Sequence, residues 1–363
     1  MNEAIVKLRA WAKGDAAPPD EVQIYPTNRC NLRCVFCFQQ LKEYDLNDTV
    51  PDKRWLEIAE ELCEMGVPKI LISGGGEPMM SDATIQMMRI FKSHGVRGRM
   101  INNGTRWTAE TIREAVKMGW DHITFSLDGP DAATHDRLRG GGFDKIIRSI
   151  KGFNEIQKGR GLDRPRKEIV TVLCRENYRK IAEMVELAHD LAVPHYSAEP
   201  VCVNNTGVEK IKLSEEEGRE FLDEIIPGAQ ELAEKYNIST NFGKLLSVRC
   251  IDKTGDLKEV ILRRHEEQRH DEAGGSSKHL FDVPCYEPWI WPKIEANGDV
   301  WPCSTTPLKA NIRKRSFSEI WTGPEFTAFR KQIAGGVLSE SCSNCVLTHL
   351  DTNRRIREEL KDA

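Results

Sequence analysis

Several absences narrow the reading of this 363-residue chain before any motif does. No apolar run is long enough to span a bilayer, so no transmembrane helix is expected. The opening stretch, "MNEAIVKLRAWAKGDAAPPDE", lacks the apolar core and small-residue cleavage site of a secretory signal. Neither sign of charge dominates: Lys and Arg number 52 against 56 Asp and Glu, a formal net charge of -4. That balance gives no global pull toward nucleic acid or an anionic membrane, and neither is expected as a partner. No internal repeat is evident. Together these absences point to a cytoplasmic protein, and the compartment decides how its 11 cysteines are read. In a reducing interior disulfides are disfavoured, and clustered cysteines read as metal ligands.

What is present is an alternation. Short β-branched runs occur at 22–27, 69–73, 98–103, 122–129, 168–174 and 195–200. Between them lie amphipathic helical patterns. In "PDKRWLEIAEELCEMG" residues Trp55, Ile58, Leu62 and Met65 share one face, Pro51 opens the helix and Gly66 closes it. Similar stretches run near 82–94, 108–118, 143–157 and 178–191. Six strands separated by five helices predict an α/β fold with a parallel sheet of right-handed βα units, open or barrel-like. Such sheets carry their chemistry at the C-terminal ends of the strands. Here those ends run into "TNRCNLRCVFC", "SGGGEP", "NNGT" and "SLDG".

The rest of the chain reads differently. Residues 208 to about 240 form a charged helical stretch, and 258–279 reads as a mobile loop or linker. In "CYEPWIWPKIEANGDVWPC", Asn297-Gly298 predicts a two-residue hairpin turn between Cys285 and Cys303. "CSNC" then adds Cys342 and Cys345, and no cysteine follows.

Two thiol sets therefore stand apart. Cys285, Cys303, Cys342 and Cys345 suit either tetrahedral zinc or an iron–sulfur cube. Cys30, Cys34 and Cys37, spaced Cx3Cx2C with no fourth beside them, make a poor structural zinc site, which needs four ligands. A four-iron cluster on three cysteines leaves one iron open to a small polar molecule. The adjacent glycines would let backbone approach it closely.

Cx3Cx2C with Phe36 before the third cysteine, "SGGGEP", "SLDGPDAATHDRLRG" and the C-terminal cysteine pattern together resemble the radical S-adenosylmethionine (SAM) superfamily, in its SPASM/Twitch branch. The resemblance covers residues from about 22 to 345. It implies a partial (β/α)6 TIM barrel with a C-terminal Twitch/SPASM-like auxiliary-cluster domain. The expected divisions are an N-terminal arm (1–20), the barrel (21–205), a helical bridge and charged loop (206–280), the auxiliary domain (281–350) and a helical tail (351–363). It also implies chemistry. Cys30, Cys34 and Cys37 would hold a [4Fe–4S] cluster whose fourth iron binds SAM. SAM cleavage would give a 5′-deoxyadenosyl radical that abstracts a substrate hydrogen, the cofactor supplying the hard step.

Within that resemblance, Gly75, Gly76 and Glu77 would hold the methionine amine, with Gly74 an extra glycine beside the usual motif. Ser126, Asp128 and Arg139 are candidates for the ribose and carboxylate, Phe36 for the adenine, and Asn102 and Asn103 for further SAM contacts. Cys285, Cys303, Cys342 and Cys345 suffice for one fully ligated auxiliary [4Fe–4S] cluster. This looks like the shorter Twitch form of scyllo-inosamine dehydrogenase, in which an auxiliary cluster accepts a substrate electron. A flavodoxin- or ferredoxin-type protein would be the electron donor.

The expected reaction is dehydrogenation or epimerisation of a small molecule such as a sugar or cyclitol. The alternatives are peptide modification and a non-catalytic zinc scaffold, which would leave "SGGGEP" unexplained. The short N-terminal region, without room for a leader-peptide-binding domain, favours a small molecule. Cys202 and Cys250 are candidate hydrogen donors to a substrate radical, or packing residues. Cys63 and Cys174 read as core. His135 reads equally as a SAM contact or a helix cap.

Overall fold

The computed structural model describes residues 3–37, 39, 45–201, 208–247, 283–345 and 347–361. The predicted mobile stretch 258–279, and the candidate donors Cys202 and Cys250, lie outside the described residues.

Strands β1 (Val22–Ile24), β2 (Lys69–Ile72), β3 (Arg97–Asn102), β4 (His122–Ser126), β5 (Arg166–Leu173) and β6 (His195–Pro200) pair in sequence order, all parallel. A short β7 (Ser239–Thr240), which the sequence pattern did not signal, extends the sheet beyond β6. The crossovers are helical: α2 (Asp52–Glu64), α3 (Ala83–Ser93), α4 (Ala109–Lys117), α5 (Ala132–Arg139), α6 (Phe143–Arg160) and α7 (Ile181–Asp190). α5 went unread in the sequence, being short and holding only Leu138 as a large aliphatic anchor.

Period-two alternation explains how the sheet sits. Ile169, Thr171 and Leu173 of β5 are buried beneath the helices, while Glu168, Val170 and Val172 face the opposite, concave side. The core cluster places Trp55, Phe91, Trp120, Phe125 and Phe153 between sheet and helices, each worth roughly 1.5–3 kcal/mol in burial. Gly98 on β3 has a packing reason: a Cβ there would lie 2.1 Å from the Trp120 ring.

The auxiliary region is not a separate layer. β8 (Lys293–Ile294) pairs parallel with β1, and β9 (Val300–Trp301) pairs antiparallel with β8, giving the order β7-β6-β5-β4-β3-β2-β1-β8-β9. The hairpin turn differs from expectation. Lys293 faces Trp301 and Ile294 faces Val300, so the register is incompatible with a two-residue Asn297-Gly298 loop. Glu295 N–H donates to Asp299 O at 2.8 Å, leaving a three-residue loop with Gly298 at φ +91°. Gly is the residue that takes this left-handed position cheaply.

The N-terminal arm belongs to this end of the molecule. α1 (Glu3–Ala12) buries Ile5 and Leu8 against Tyr286, Ile290 and Ile356. Trp321 Nε1 donates to Ala17 O at 2.8 Å. The buried Arg330 guanidinium donates to Trp321 O and Pro288 O and stacks on Trp11 and Trp321. Burial lowers its pKa to about 9. The tail expected from 351 begins earlier, as the helix Leu347–Lys361. No helix among the described residues is long and apolar enough to cross a membrane.

Candidate active site and iron–sulfur centres

The cysteine loop leaves the C-terminal end of β1 and is held from two sides. On one side, Gly76 N–H donates to Thr27 O at 3.0 Å and Glu77 N–H to Arg29 O at 2.9 Å. A Cβ on Gly76 would lie 2.1 Å from the Arg29 carbonyl oxygen, and one on Gly75 would lie 2.2 Å from Asn28 Oδ1. A Cβ on Gly74 would meet the Gly76 carbonyl at 2.1 Å. Gly76 thus lets two backbones touch, Gly75 makes room for the Asn28 side chain, and Gly74 lets the run fold back on its own carbonyl. On the other side, Val35 N–H donates to Leu138 O at 2.9 Å and Arg33 N–H to Arg139 O at 3.2 Å. The loop is therefore docked on the C-terminal end of α5.

Around it lie buried polar groups. Glu77, 2 % exposed, accepts from Asn103 N–H at 2.7 Å and from Met79 N–H at 3.1 Å. Burial raises its pKa to about 7, against the downward pull of those two bonds. Asn103 also gives its amide to Asn31 Oδ1 at 3.0 Å and approaches Cys30 Sγ at 4.0 Å. Arg139, 7 % exposed, pairs with the fully buried Asp128, points Nη1 at Cys34 Sγ (3.9 Å) and lies 5.3 Å over the Phe36 ring. Asp128 also accepts the Val172 N–H at 2.8 Å. Ser126 is buried at the end of β4.

Some expected contacts are used otherwise. Asn102 lies on the helix-facing side of β3, where its carbonyl accepts from Trp107 Nε1 and Gly104 N–H and its amide donates to Thr124 O. Its role is to shape the turn after β3. His135 accepts the Asp128 N–H on Nδ1 at 3.1 Å, which ties the loop after β4 to α5. Burial lowers its pKa to about 4, so it is a neutral imidazole near pH 7. Cys174 is buried and Cys63 half-buried, as packing residues.

Asn177 was missed, because nothing in "CRENY" marks it. Its amide donates to Asp128 O at 3.0 Å and Val172 O at 2.9 Å. It fixes the loop that carries the Asp128 carboxylate.

Among the described residues, no three His, Cys, Asp or Glu side chains are gathered as they would be around a single ion. The thiols nevertheless converge in two sets. Burial pushes the Cys34 thiol to about 11, and the negative charges that Cys37 and Cys30 would carry push it the same way. Burial likewise drives Cys285 well up, with Cys345 and Cys303 close enough to add to it. Burial raises the Cys342 thiol against two hydrogen bonds from Ser339, and nearby Cys303 adds to the rise. Ser339 Oγ lies 3.2 Å from Cys342 Sγ and Thr305 Oγ1 lies 3.6 Å from Cys303 Sγ. Facing thiols flanked by amide, guanidinium and hydroxyl donors are a donor set that suits iron–sulfur clusters. Binding requires their protons to leave.

Comparison with known proteins agrees. Residues 24–215 match the Radical SAM superfamily, and residues 285–346 match SPASM, an iron–sulfur cluster-binding domain. AdoMet-dependent heme synthase of Methanosarcina barkeri is 26% identical over 88% of this chain and 86% of its own length. PqqA peptide cyclase of Xanthomonas euvesicatoria is 23% identical over 93% of this chain and 82% of its own. Among solved structures, Streptococcus suis SuiB bound to S-adenosylmethionine superposes with a TM-score of 0.61 at 21% identity, covering 86% of this chain and 68% of that one. The last likeness speaks for the fold. SAM and [4Fe–4S] clusters fit the two thiol sets, and the chain belongs to the radical SAM superfamily, with a C-terminal SPASM domain.

Proposed function

We propose that Cys30, Cys34 and Cys37 hold a SAM-binding [4Fe–4S] cluster and that Cys285, Cys303, Cys342 and Cys345 hold an auxiliary one. When bound, these groups supply reductive cleavage of SAM to a 5′-deoxyadenosyl radical, hydrogen abstraction from a substrate C–H and an acceptor for the electron left behind. The residues of the chain bind, orient and exclude water. Glu77 and Asn103 line the place for the methionine amine. Arg139, neutralised by Asp128, grips the cluster loop and backs Phe36, which takes the adenine. Ser126 faces the ribose. A flavodoxin- or ferredoxin-type protein supplies the electron.

The observation carrying this reading is the docking of the three-thiol loop between the glycine run and the end of α5, with Glu77 and Asp128–Arg139 buried beside it. The reaction is an oxidation of a small molecule. Sugar or cyclitol dehydrogenation finds no support in the relatives described. The heme synthase supports a carboxylate-bearing tetrapyrrole instead. A peptide is the second reading, supported by the peptide cyclase.

The test is iron, sulfide and zinc per chain after anaerobic reconstitution, with 5′-deoxyadenosine measured under a low-potential reductant. About eight iron with matching sulfide and SAM cleavage is the expected result. About four iron with one zinc would remove the auxiliary acceptor, and zinc without iron would overturn the reading.

A further inference from the structure

A second polar site lies on the concave face of the sheet, away from the cysteine loops. Arg99 of β3, His122 of β4, Glu168 of β5 and His195 of β6 line a cavity of about 370 Å³. Strand register explains the row: Arg99 is opposite His122, and Glu168 is opposite His195. All four lie on the face that the helix-packed residues Met100, Ile123, Ile169 and Tyr196 leave free.

Its donors and acceptors are unequal. The Glu168 carboxylate accepts from His122 Nε2 at 3.1 Å, Thr124 Oγ1 at 2.9 Å and Ser197 Oγ at 2.9 Å. Its acceptor capacity is largely used, and its charge is spread over three donors. Arg99 and His195 have no hydrogen-bond or ion-pair partner among the described residues, and both turn into the cavity. The charges of Glu21 and Glu168 reach Arg99 and His195, but neither side chain spends a donor on a hydrogen bond, and with the Glu168 acceptor engaged the chamber is complementary to an anionic acceptor group.

Its position sets a length. Arg99 lies four residues before Asn103, which follows β3 directly, and Glu168 lies five before Leu173 at the end of β5, so the chamber lies roughly 13–16 Å below the strand ends. A single sugar or cyclitol ring is too short to reach both. A macrocycle with carboxylate arms, or a peptide of several residues, is long enough.

We propose that this chamber docks a carboxylate arm of an extended substrate through Arg99 and His195, and so holds the reacting C–H near the cysteine loop. This rests on the substrate oxidation proposed above, but it is a binding claim with its own readout. Glu168 is the positioning residue of the row, keeping His122 turned toward β5.

The test titrates the reconstituted, SAM-loaded enzyme with iron coproporphyrin III, a porphyrin tetracarboxylate, followed by its Soret absorbance. Its tetramethyl ester and a glutamate-containing peptide (by titration calorimetry) are the other arms. R99Q, H195Q and the double variant are compared with the unaltered chain. Arg99 is exposed and makes no hydrogen bond or ion pair with a described residue, so R99Q should keep the iron content and melting temperature.

The tetra-acid should bind at least roughly tenfold tighter than the ester, and R99Q should erase most of that difference, as loss of a charge-assisted hydrogen bond requires. Binding of the acidic peptide alone, read directly by titration calorimetry and lost in R99Q, would keep the carboxylate site and assign it to a peptide. Equal binding of acid and ester, unchanged affinity in R99Q and H195Q, or no binding of either carboxylate probe would overturn the proposal. Iron content and SAM cleavage, measured on the same samples, report separately on the radical SAM reading.

Discussion

Arg139 and Asp128 form an ion pair sealed inside the protein, Nε to Oδ2 2.5 Å, and the same guanidinium points at Cys34 Sγ. The helix that supplies Arg139 also receives the cysteine loop's Arg33 and Val35 N–H groups on its last carbonyls. Substituting Asp128→Asn keeps the shape but leaves the guanidinium charge buried without its counter-charge. Breaking a buried pair in this way costs about 3–5 kcal/mol. The variant should melt well below the unaltered chain and lose part of its iron on reconstitution. A D128N protein with unchanged melting temperature and iron content would show that the pair does not hold the loop.

The glycine run makes a sharper prediction. Gly76→Ala places a methyl 2.1 Å from the Arg29 carbonyl oxygen, which is backbone and cannot swing aside. The loop must shift, so iron per chain should fall by about half, the auxiliary set remaining loaded. Gly95→Ala is the control for the general effect of adding a methyl. A Cβ there meets nothing within 4 Å, although its φ of +74° carries modest strain. Equal iron in G76A and G95A would remove the packing argument.

Much of this site was legible because thiols, glycines and strand ends coincide within a few residues. The β-branched run at 168–174 announced a strand of the parallel sheet, though not which of its residues face the helices. Three things stayed hidden, each for a physical reason. Asn102 and Asn103 are neighbours and look interchangeable, yet strand alternation sends their side chains to opposite faces. Only register separates the turn-forming amide from the one beside Cys30. The Asn297-Gly298 pair signals a hairpin without fixing loop length, because a left-handed glycine serves two- and three-residue loops alike. Arg99, His122, Glu168 and His195 are spread over almost a hundred residues and join only through the register of four strands.

The two thiol sets should unload independently, since they sit on different elements. Cys34→Ala should leave about four iron per chain, on the auxiliary set, and abolish 5′-deoxyadenosine formation. Cys342→Ala should also leave about four, but on the first set, with SAM cleavage retained and substrate oxidation lost. Loss of all eight in either variant would mean that the sets are coupled through the sheet shared by β1 and β8.

The acid side of the stability curve should carry a signature of Glu168. Burial alone would raise its pKa, but the hydrogen bonds from His122, Ser197 and Thr124 outweigh burial and hold it at about 2. A carboxyl with a depressed folded pKa contributes stability that is present above its unfolded value near 4.5 and lost as pH falls toward 2. By pH 3 the loss from this one group is about 2 kcal/mol. Glu168→Gln cannot titrate, so although the variant starts less stable at pH 6, its stability should fall less between pH 6 and pH 3. Urea unfolding of both proteins at the two pH values measures the difference, and the other carboxyl groups cancel in the comparison. If the two proteins lose stability in parallel, Glu168 is not held ionised by its three donors. The chamber would then contain a neutral acid, and a ligand carboxylate would meet a donor there as well as at Arg99.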